Sequence, residues 1–197
     1  GARDAVWGDY DNDGDLDIGV AVGYGKNRIY RNDSNDTFTS IWLSPGLDYT
    51  NRVAWADVHG DGVLDLASAN AGKPNVIYFN NDGGSSAALP GDGGLLPSQG
   101  SIIAPDEAKT EVVALGDYDN DGDMDLAVGN NYTTPSEIYR NDGGTFTPEP
   151  VWTSPAGEDT YELDWVDYDN DGDLDLAAIN FQQVDYLYRN DGVDAQG

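Results

Sequence analysis

Nine residues written four times constrain this chain more than anything else in it. They read Asp9-Tyr-Asp-Asn-Asp-Gly-Asp-Leu-Asp17, Asp57-Val-His-Gly-Asp-Gly-Val-Leu-Asp65, Asp117-Tyr-Asp-Asn-Asp-Gly-Asp-Met-Asp125 and Asp167-Tyr-Asp-Asn-Asp-Gly-Asp-Leu-Asp175. Their starts lie 48, 60 and 50 residues apart. Self-similarity at such a period marks a repeat architecture, in which each unit buries its apolar surface against its neighbours. The sequence therefore divides into one repeat domain over 1–197, with units at about 1–48, 49–108, 109–158 and 159–197. The long second unit owes its length to a Gly/Ser/Pro/Leu-rich insertion around 85–98, which reads as a surface loop.

The similarity reaches beyond the nonapeptides. A short apolar run precedes each: Ala5-Val-Trp7, Val53-Ala-Trp55, Val113-Ala-Leu115 and Leu163-Asp-Trp165. Alternating apolar residues follow, as in Leu16, Ile18, Val20 and Val22, and that period of two marks a strand with distinct faces. A third run ends in Tyr30, Tyr78, Tyr139 and Tyr188 and leads into Asn and Asp turn residues. Three units add a fourth run, Ile41-Trp-Leu43, Ile102-Ile103 and Val151-Trp152, and the last unit stops before one. No helical periodicity is present. The expectation is an all-β, propeller-like array of four four-stranded blades, the last incomplete, with fifteen strands in all.

The charge sits with the repeats. Thirty-seven acidic residues face nine basic ones, for a formal net charge of −28. Spread evenly, such a charge would favour disorder. Here it is clustered beside strand-like runs in a chain with five Trp and twelve Tyr. It argues against nucleic acid, which needs Lys and Arg to replace counterions, and against anionic membranes, while suiting cations. The chain has no Cys, and no apolar run is long enough for a membrane-spanning helix. No signal-peptide pattern opens it, and Gly1 stands almost at a strand, as expected of a mature or trimmed piece of something longer.

The nonapeptide has a chemical logic. Calcium takes six to eight oxygens in flexible geometry. Carboxylates at positions 1, 3 and 5 of a tight loop turn alternate side chains toward one centre, and Gly at position 6 permits the sharp turn. Position 7 can add a backbone carbonyl and position 9 another carboxylate. An EF-hand would place Glu at position 12 between helices. Here that position is Val20, Ser68, Val128 or Ala178, inside the following strand, so the Asp at position 9 must close the site. A metal-free Asx-rich turn is the plain alternative, but so many carboxylates within nine residues repel without a cation. Loop two is the weaker site: His59 takes position 3 and Gly60 replaces Asn, leaving three carboxylates. His59 reads as a loop substitution with water filling the slot, not as a catalytic base or zinc ligand.

The D-x-D-x-D-G-x-x-D-L-A core, with the tail Tyr139-Arg-Asn-Asp-Gly-Gly-Thr-Phe146, resembles the FG-GAP and VCBS-type repeats. Such repeats build the β-propeller of integrin α subunits and of many bacterial and fungal surface proteins. The resemblance implies that the loop joins the first two strands of a blade and that calcium rigidifies the rim. It implies the ligands Asp9, Asp11, Asp13 and Asp17; Asp57, Asp61 and Asp65; Asp117, Asp119, Asp121 and Asp125; and Asp167, Asp169, Asp171 and Asp175. The backbone carbonyls of Asp15, Val63, Asp123 and Asp173 would join them. The cofactor implied is Ca2+, at three strong sites and a weaker one at 57–65. Family members have six to eight blades, so four units are an arc, a small ring or a piece completed by partners.

Three functions compete. The first is a calcium-stabilised extracellular structural or adhesive module at the cell surface, part of a larger surface or filamentous assembly formed through its blade edges. The second is a lectin-like propeller, with Trp42, Trp152 and Tyr-rich loops stacking on glycans, although Trp residues more often pack between blades. The third, a polysaccharide-active enzyme or its accessory domain, ranks last, because the clustered Asp are needed for metal and no Ser–His–Asp set is available. The expectation is thus no enzyme, no nucleic acid and no membrane insertion. Arg31, Arg140 and Arg189 recur after the third-run Tyr and are expected to pair with nearby Asp. The triplets Asn32-Asp-Ser34, Asn35-Asp-Thr37 and Asn131-Tyr-Thr133 fit N-glycosylation sequons but read as Asn-rich turns.

Overall fold

Each Asp-rich loop closes a tight antiparallel pair, and each pair extends into a small meander sheet. In the computed structural model, residues 1–34, 37–80, 101–103, 108–131, 134–155 and 158–192 are described, and they form fifteen strands and no helix. Sheet I holds β1 (Ala2–Gly8), β2 (Asp17–Val22), β3 (Arg28–Asn32) and β4 (Phe38–Leu43). Sheet II holds β5 (Thr50–Ala56), β6 (Asp65–Asn70), β7 (Asn75–Tyr78) and β8 (Ser101–Ile103). Sheet III holds β9 (Thr110–Gly116), β10 (Asp125–Asn130), β11 (Glu137–Tyr139) and β12 (Trp152–Thr153). Sheet IV holds β13 (Thr160–Val166), β14 (Asp175–Asn180) and β15 (Tyr186–Tyr188), with no fourth strand among the described residues. Strands pair in chain order and antiparallel throughout. The insertion around 85–98 lies outside the described residues, as do parts of the second and third sequons.

The first strands of consecutive sheets lie side by side, β1 by β5, β5 by β9 and β9 by β13. One apolar cluster fills each joint. Tyr10, Ile29 and Trp42 of sheet I meet Val53, Leu66 and Tyr78 of sheet II. Ile77 and Val58 meet Val113, Leu126 and Tyr139, and Val112 and Ile138 meet Leu163 and Leu176. Strand burial follows from this stacking. Strands β6 and β10, covered on both faces, are buried at every residue. Strand β2 alternates, with Asp17, Gly19 and Ala21 buried against sheet II and Ile18, Val20 and Val22 half-buried on the other side.

Two rows of polar clamps flank each joint. At the loop end, the Asn that follows the third strand donates to the preceding sheet: Asn80 to the Tyr10 carbonyl at 3.0 Å, Asn141 to Val58 at 2.8 Å and Asn190 to Tyr118 at 2.7 Å. At the opposite end, Asn27 donates to Thr50 at 2.8 Å, Asn75 to Thr110 at 3.0 Å and Ser136 to Thr160 at 2.9 Å. Each of these Thr hydroxyls donates in turn to its own sheet, to Asn70, Asn130 and Asn180 at 2.8–2.9 Å. The clamps satisfy polar groups that burial would otherwise leave costly.

The two outermost faces present the surface of a joint to solvent. Trp7 of sheet I is 60% exposed, although its counterparts Trp55 and Trp165 lie against the preceding sheet and donate from Nε1 to the carbonyls of Val6 and Ala114. At the other end, Leu187 is 46% and Ile179 48% exposed, where Ile29, Ile77, Ala21 and Ala69 hold the same places at 0–1%.

Candidate metal centres in the four loops

Every loop is folded by its own carboxylates. The Asp at position 1 accepts the N–H groups of positions 5 and 6: Asp9 from Asp13 and Gly14, Asp57 from Asp61 and Gly62, Asp117 from Asp121 and Gly122, and Asp167 from Asp171 and Gly172, all at 2.8–3.2 Å. The carboxylate at position 5 accepts the N–H of position 7, as Asp13 does from Asp15, Asp61 from Val63, Asp121 from Asp123 and Asp171 from Asp173. Two residues take the left-handed conformation this turn requires. Position 6 is Gly in all four loops, at φ +87° to +98°. Position 4 is Asn12, Gly60, Asn120 or Asn170, at φ +56° to +66°. Asn and Gly are the residues that tolerate that region, so the Asn-to-Gly difference in loop two is backbone-neutral.

The Asp at position 9 is the first residue of the second strand and is almost wholly buried in all four units. Both of its oxygens accept backbone N–H groups, one from loop position 2 and one from the residue two beyond the third-strand Tyr. Asp17 accepts from Tyr10 at 3.1 Å and Asn32 at 2.8 Å; Asp65 accepts from Val58 at 3.0 Å and Asn80 at 2.6 Å. Asp125 accepts from Tyr118 at 3.0 Å and Asn141 at 2.8 Å; Asp175 accepts from Tyr168 at 3.1 Å and Asn190 at 2.8 Å. This residue thus ties the loop to the third strand, a role that spacing alone does not reveal. Burial, outweighing these donors, raises the Asp17 and Asp65 carboxyls and pushes Asp125 up to about 7.

Position 3 differs from the others. Oδ1 of Asp11, Asp119 and Asp169 is buried with no hydrogen-bond partner, at the same place in three separate loops. Burial first, then the neighbouring Asp17 and Asp13 charges, pushes the Asp11 carboxyl up to about 6. A buried carboxylate oxygen without a partner is costly, and a hard cation is the partner that this donor set fits. In three loops one oxygen from each of three carboxylates comes within 4.8 Å of the others. These are Asp9, Asp11 and Asp13; Asp117, Asp119 and Asp125; and Asp167, Asp169 and Asp175. Of the remaining candidates, Asp17 lies beside Asp11 but outside the first triad, and Asp121 and Asp171 hold their loops by the bonds given above.

Position 7 keeps its side chain for other work. The Asp15 carboxylate accepts from the Ser34 hydroxyl, Asp123 accepts from the Gly143 N–H at 2.7 Å, and Asp173 accepts from the Asn120 amide at 2.7 Å. Any contribution of Asp15, Val63, Asp123 and Asp173 to a cation is left to their backbone carbonyls.

Loop two forms no such triad among the described residues. His59 Nδ1 lies 3.4 Å from the Asp65 carboxylate, and its ring packs on Phe79 at 4.4 Å. Phe79 and Asp65 thus give the imidazole both an apolar and a polar partner. The recurrent arginines behave as expected: Arg31 pairs with Asp33 at 2.7 Å and Arg140 with Asp142 at 3.0 Å. Arg189 also reaches into its loop, 3.1 Å from Asp169 and 3.7 Å from Asp171. Trp42 and Trp152, considered above as sugar platforms, instead pack edge-on against Tyr78 and Tyr188 at 4.9 and 4.8 Å. Neighbouring loops touch, with Asn12 donating to the Gly62 carbonyl at 2.9 Å and Asn120 to Gly172 at 3.3 Å.

The FG-GAP-like repeat family model matches the chain three times, over residues 9–68, 60–128 and 117–178. No curated protein matches the sequence. Among solved structures, the chain is similar to the Tc holotoxin pore of Photorhabdus luminescens, with 23% identity and a TM-score of 0.52. That match covers 94% of this chain and 9% of the toxin chain. It is also similar to a rhamnogalacturonan lyase of Bacillus licheniformis, with 20% identity and a TM-score of 0.53, covering 91% of this chain and 40% of the lyase. The chain therefore spans less than half the length of either, and at these identities the likeness is one of fold alone.

Proposed function

Because the chain belongs to the FG-GAP-like repeat family, we propose that it is a calcium-stabilised structural module of the β-propeller type, its four sheets acting as blades of a larger extracellular or cell-surface assembly. The observation that carries this reading is the buried, unpartnered Oδ1 repeated at Asp11, Asp119 and Asp169. The loops supply carboxylates and carbonyls, and calcium supplies the positive charge that holds them together. At the affinities of extracellular modules, about 10⁻⁴ to 10⁻³ M, such sites would fill outside the cell and stand mostly empty in a cytosol. The solvent-facing Trp7, Ile179 and Leu187 support the assembly, because each outer face fits a further blade of the same kind. The module is proposed to be non-catalytic, since its carboxylates are committed to folding the loops and holding the ion. Calcium titration by calorimetry tests the reading: three sites of similar affinity and a weaker one at 57–65 are expected, and four equal sites or none would refute it.

A further inference from the structure

The four units are most alike in their loops and differ in every copy six residues ahead of them. That position is Arg3, Asn51, Glu111 and Tyr161, four different chemistries in one place of a repeat. In every sheet the same position is a β-bulge. The pairing register of the first strand slips between Ala2 and Asp4, between Thr50 and Arg52, across Glu111 and between Thr160 and Glu162. A bulge leaves one residue out of the ladder and re-aims its side chain, a device that recurs beside functional sites. The four re-aimed side chains, with Arg52, line one cleft of ≈ 350 Å³ at the sheet ends away from the Asp loops. A cleft of this size lies in the range of small-molecule sites.

The floor of the cleft is preorganised. Arg3 donates to the Asn51 side-chain oxygen. The Asn51 amide donates to the Thr110 carbonyl at 2.8 Å and to Glu111 at 2.9 Å, and Asn131 donates to the other Glu111 oxygen at 3.1 Å. On the wall, Arg52 pairs with Glu162 at 2.9 Å. A guanidinium carries five N–H donors in a planar fork, so both arginines keep donors for a ligand. Two of the nine basic residues of a chain with net charge −28 stand here. Tyr161, 49% exposed and backed by Phe181 at 5.6 Å, offers a flat apolar face at the mouth.

We propose that this cleft binds an acidic saccharide: a sugar carboxylate held by Arg3 and Arg52, hydroxyls received by Glu111, and a ring laid on Tyr161. Arginine suits a carboxylate because it can donate two parallel bonds to it. The proposal goes beyond a structural role and does not require calcium to be the ion in the loops.

The test uses the whole chain in millimolar calcium, titrated by NMR and calorimetry with short oligo-uronates and with neutral oligosaccharides of equal length. Saturable binding of the uronates is expected, with the neutral sugars at least about tenfold weaker, the ratio given by one lost charge-assisted hydrogen bond. Arg52→Ala and Tyr161→Ala should each weaken binding about tenfold, while Tyr161→Phe retains it. Both positions are partly or largely exposed, and an unchanged melting temperature shows that the variants fold. Equal binding of neutral sugars, full binding by the Arg52→Ala/Tyr161→Ala double variant, or no binding at all would overturn the proposal. Binding that survives those changes but is lost in Asp13→Ala would also overturn it, by assigning the uronate to the loop cation.

Discussion

At the residue scale, the acidic positions of a loop divide the work between them. Positions 1 and 5 fold the turn, position 9 ties it to the third strand, and position 3 holds out a buried oxygen with no protein partner. Asp119→Asn, of nearly the same shape, should therefore weaken cation binding at that loop and lower the melting temperature in calcium. In chelator the same substitution should raise it, because it removes a buried charge among like charges. Calorimetric scans of both proteins in both buffers check the reversal. The pH response has a matching sign. Asp11 is pushed up to about 6 and Asp125 to about 7, above an unfolded value of about 4. In the metal-free state the native form thus holds protons that the unfolded chain releases. Stability in chelator should fall as pH rises from about 4 to about 7. With calcium the trend should reverse, since protons then compete with the ion; urea melts at pH 5 and 7.5 read both. The carboxylate pattern was legible because charge and spacing are written in the sequence. The division of labour was not, because it depends on N–H groups such as that of Asn141, 16 residues beyond Asp125.

At the element scale, the apolar runs marked all fifteen strands, down to β12, which is two residues long. Two features escaped them. The bulges fall on polar, dissimilar residues, where periodicity carries no signal. The clamps, such as Thr50 with Asn70, Thr110 with Asn130 and Thr160 with Asn180, recur at a 20-residue spacing but look like ordinary turn-flanking residues. Only their position at a joint gives them meaning. Asn141 is the most buried of the loop-end clamps, at 0% exposure, and satisfies the carbonyls of Val58 and Met124. Asn141→Ala should cost about 1–3 kcal/mol for each carbonyl left without a partner. Urea denaturation measures this, with Asn32→Ala as the comparison. The Asn32 side chain donates only a long bond, at 3.4 Å, to the Leu16 carbonyl of its own sheet, with no cross-sheet bond among the described residues, so its loss should cost less.

At the scale of the molecule, stability is shared between three apolar joints and the loops that cap one end of each sheet. With net charge −28 and carboxylates gathered into those caps, the proposed function makes a cation an architectural element of the fold. Mass action gives the size of its effect. A site with free calcium about twentyfold above its dissociation constant adds about 1.8 kcal/mol. Three such sites add about 5 kcal/mol, comparable to the whole net stability of many domains. For a chain of this length, each kcal/mol moves the melting temperature by about 2–4 °C. The most direct measurement is thermal unfolding of the intact chain in millimolar calcium and in excess chelator. A fall of about 10–20 °C on chelation is expected, and an unchanged melting curve would contradict the claim that calcium holds the sheets.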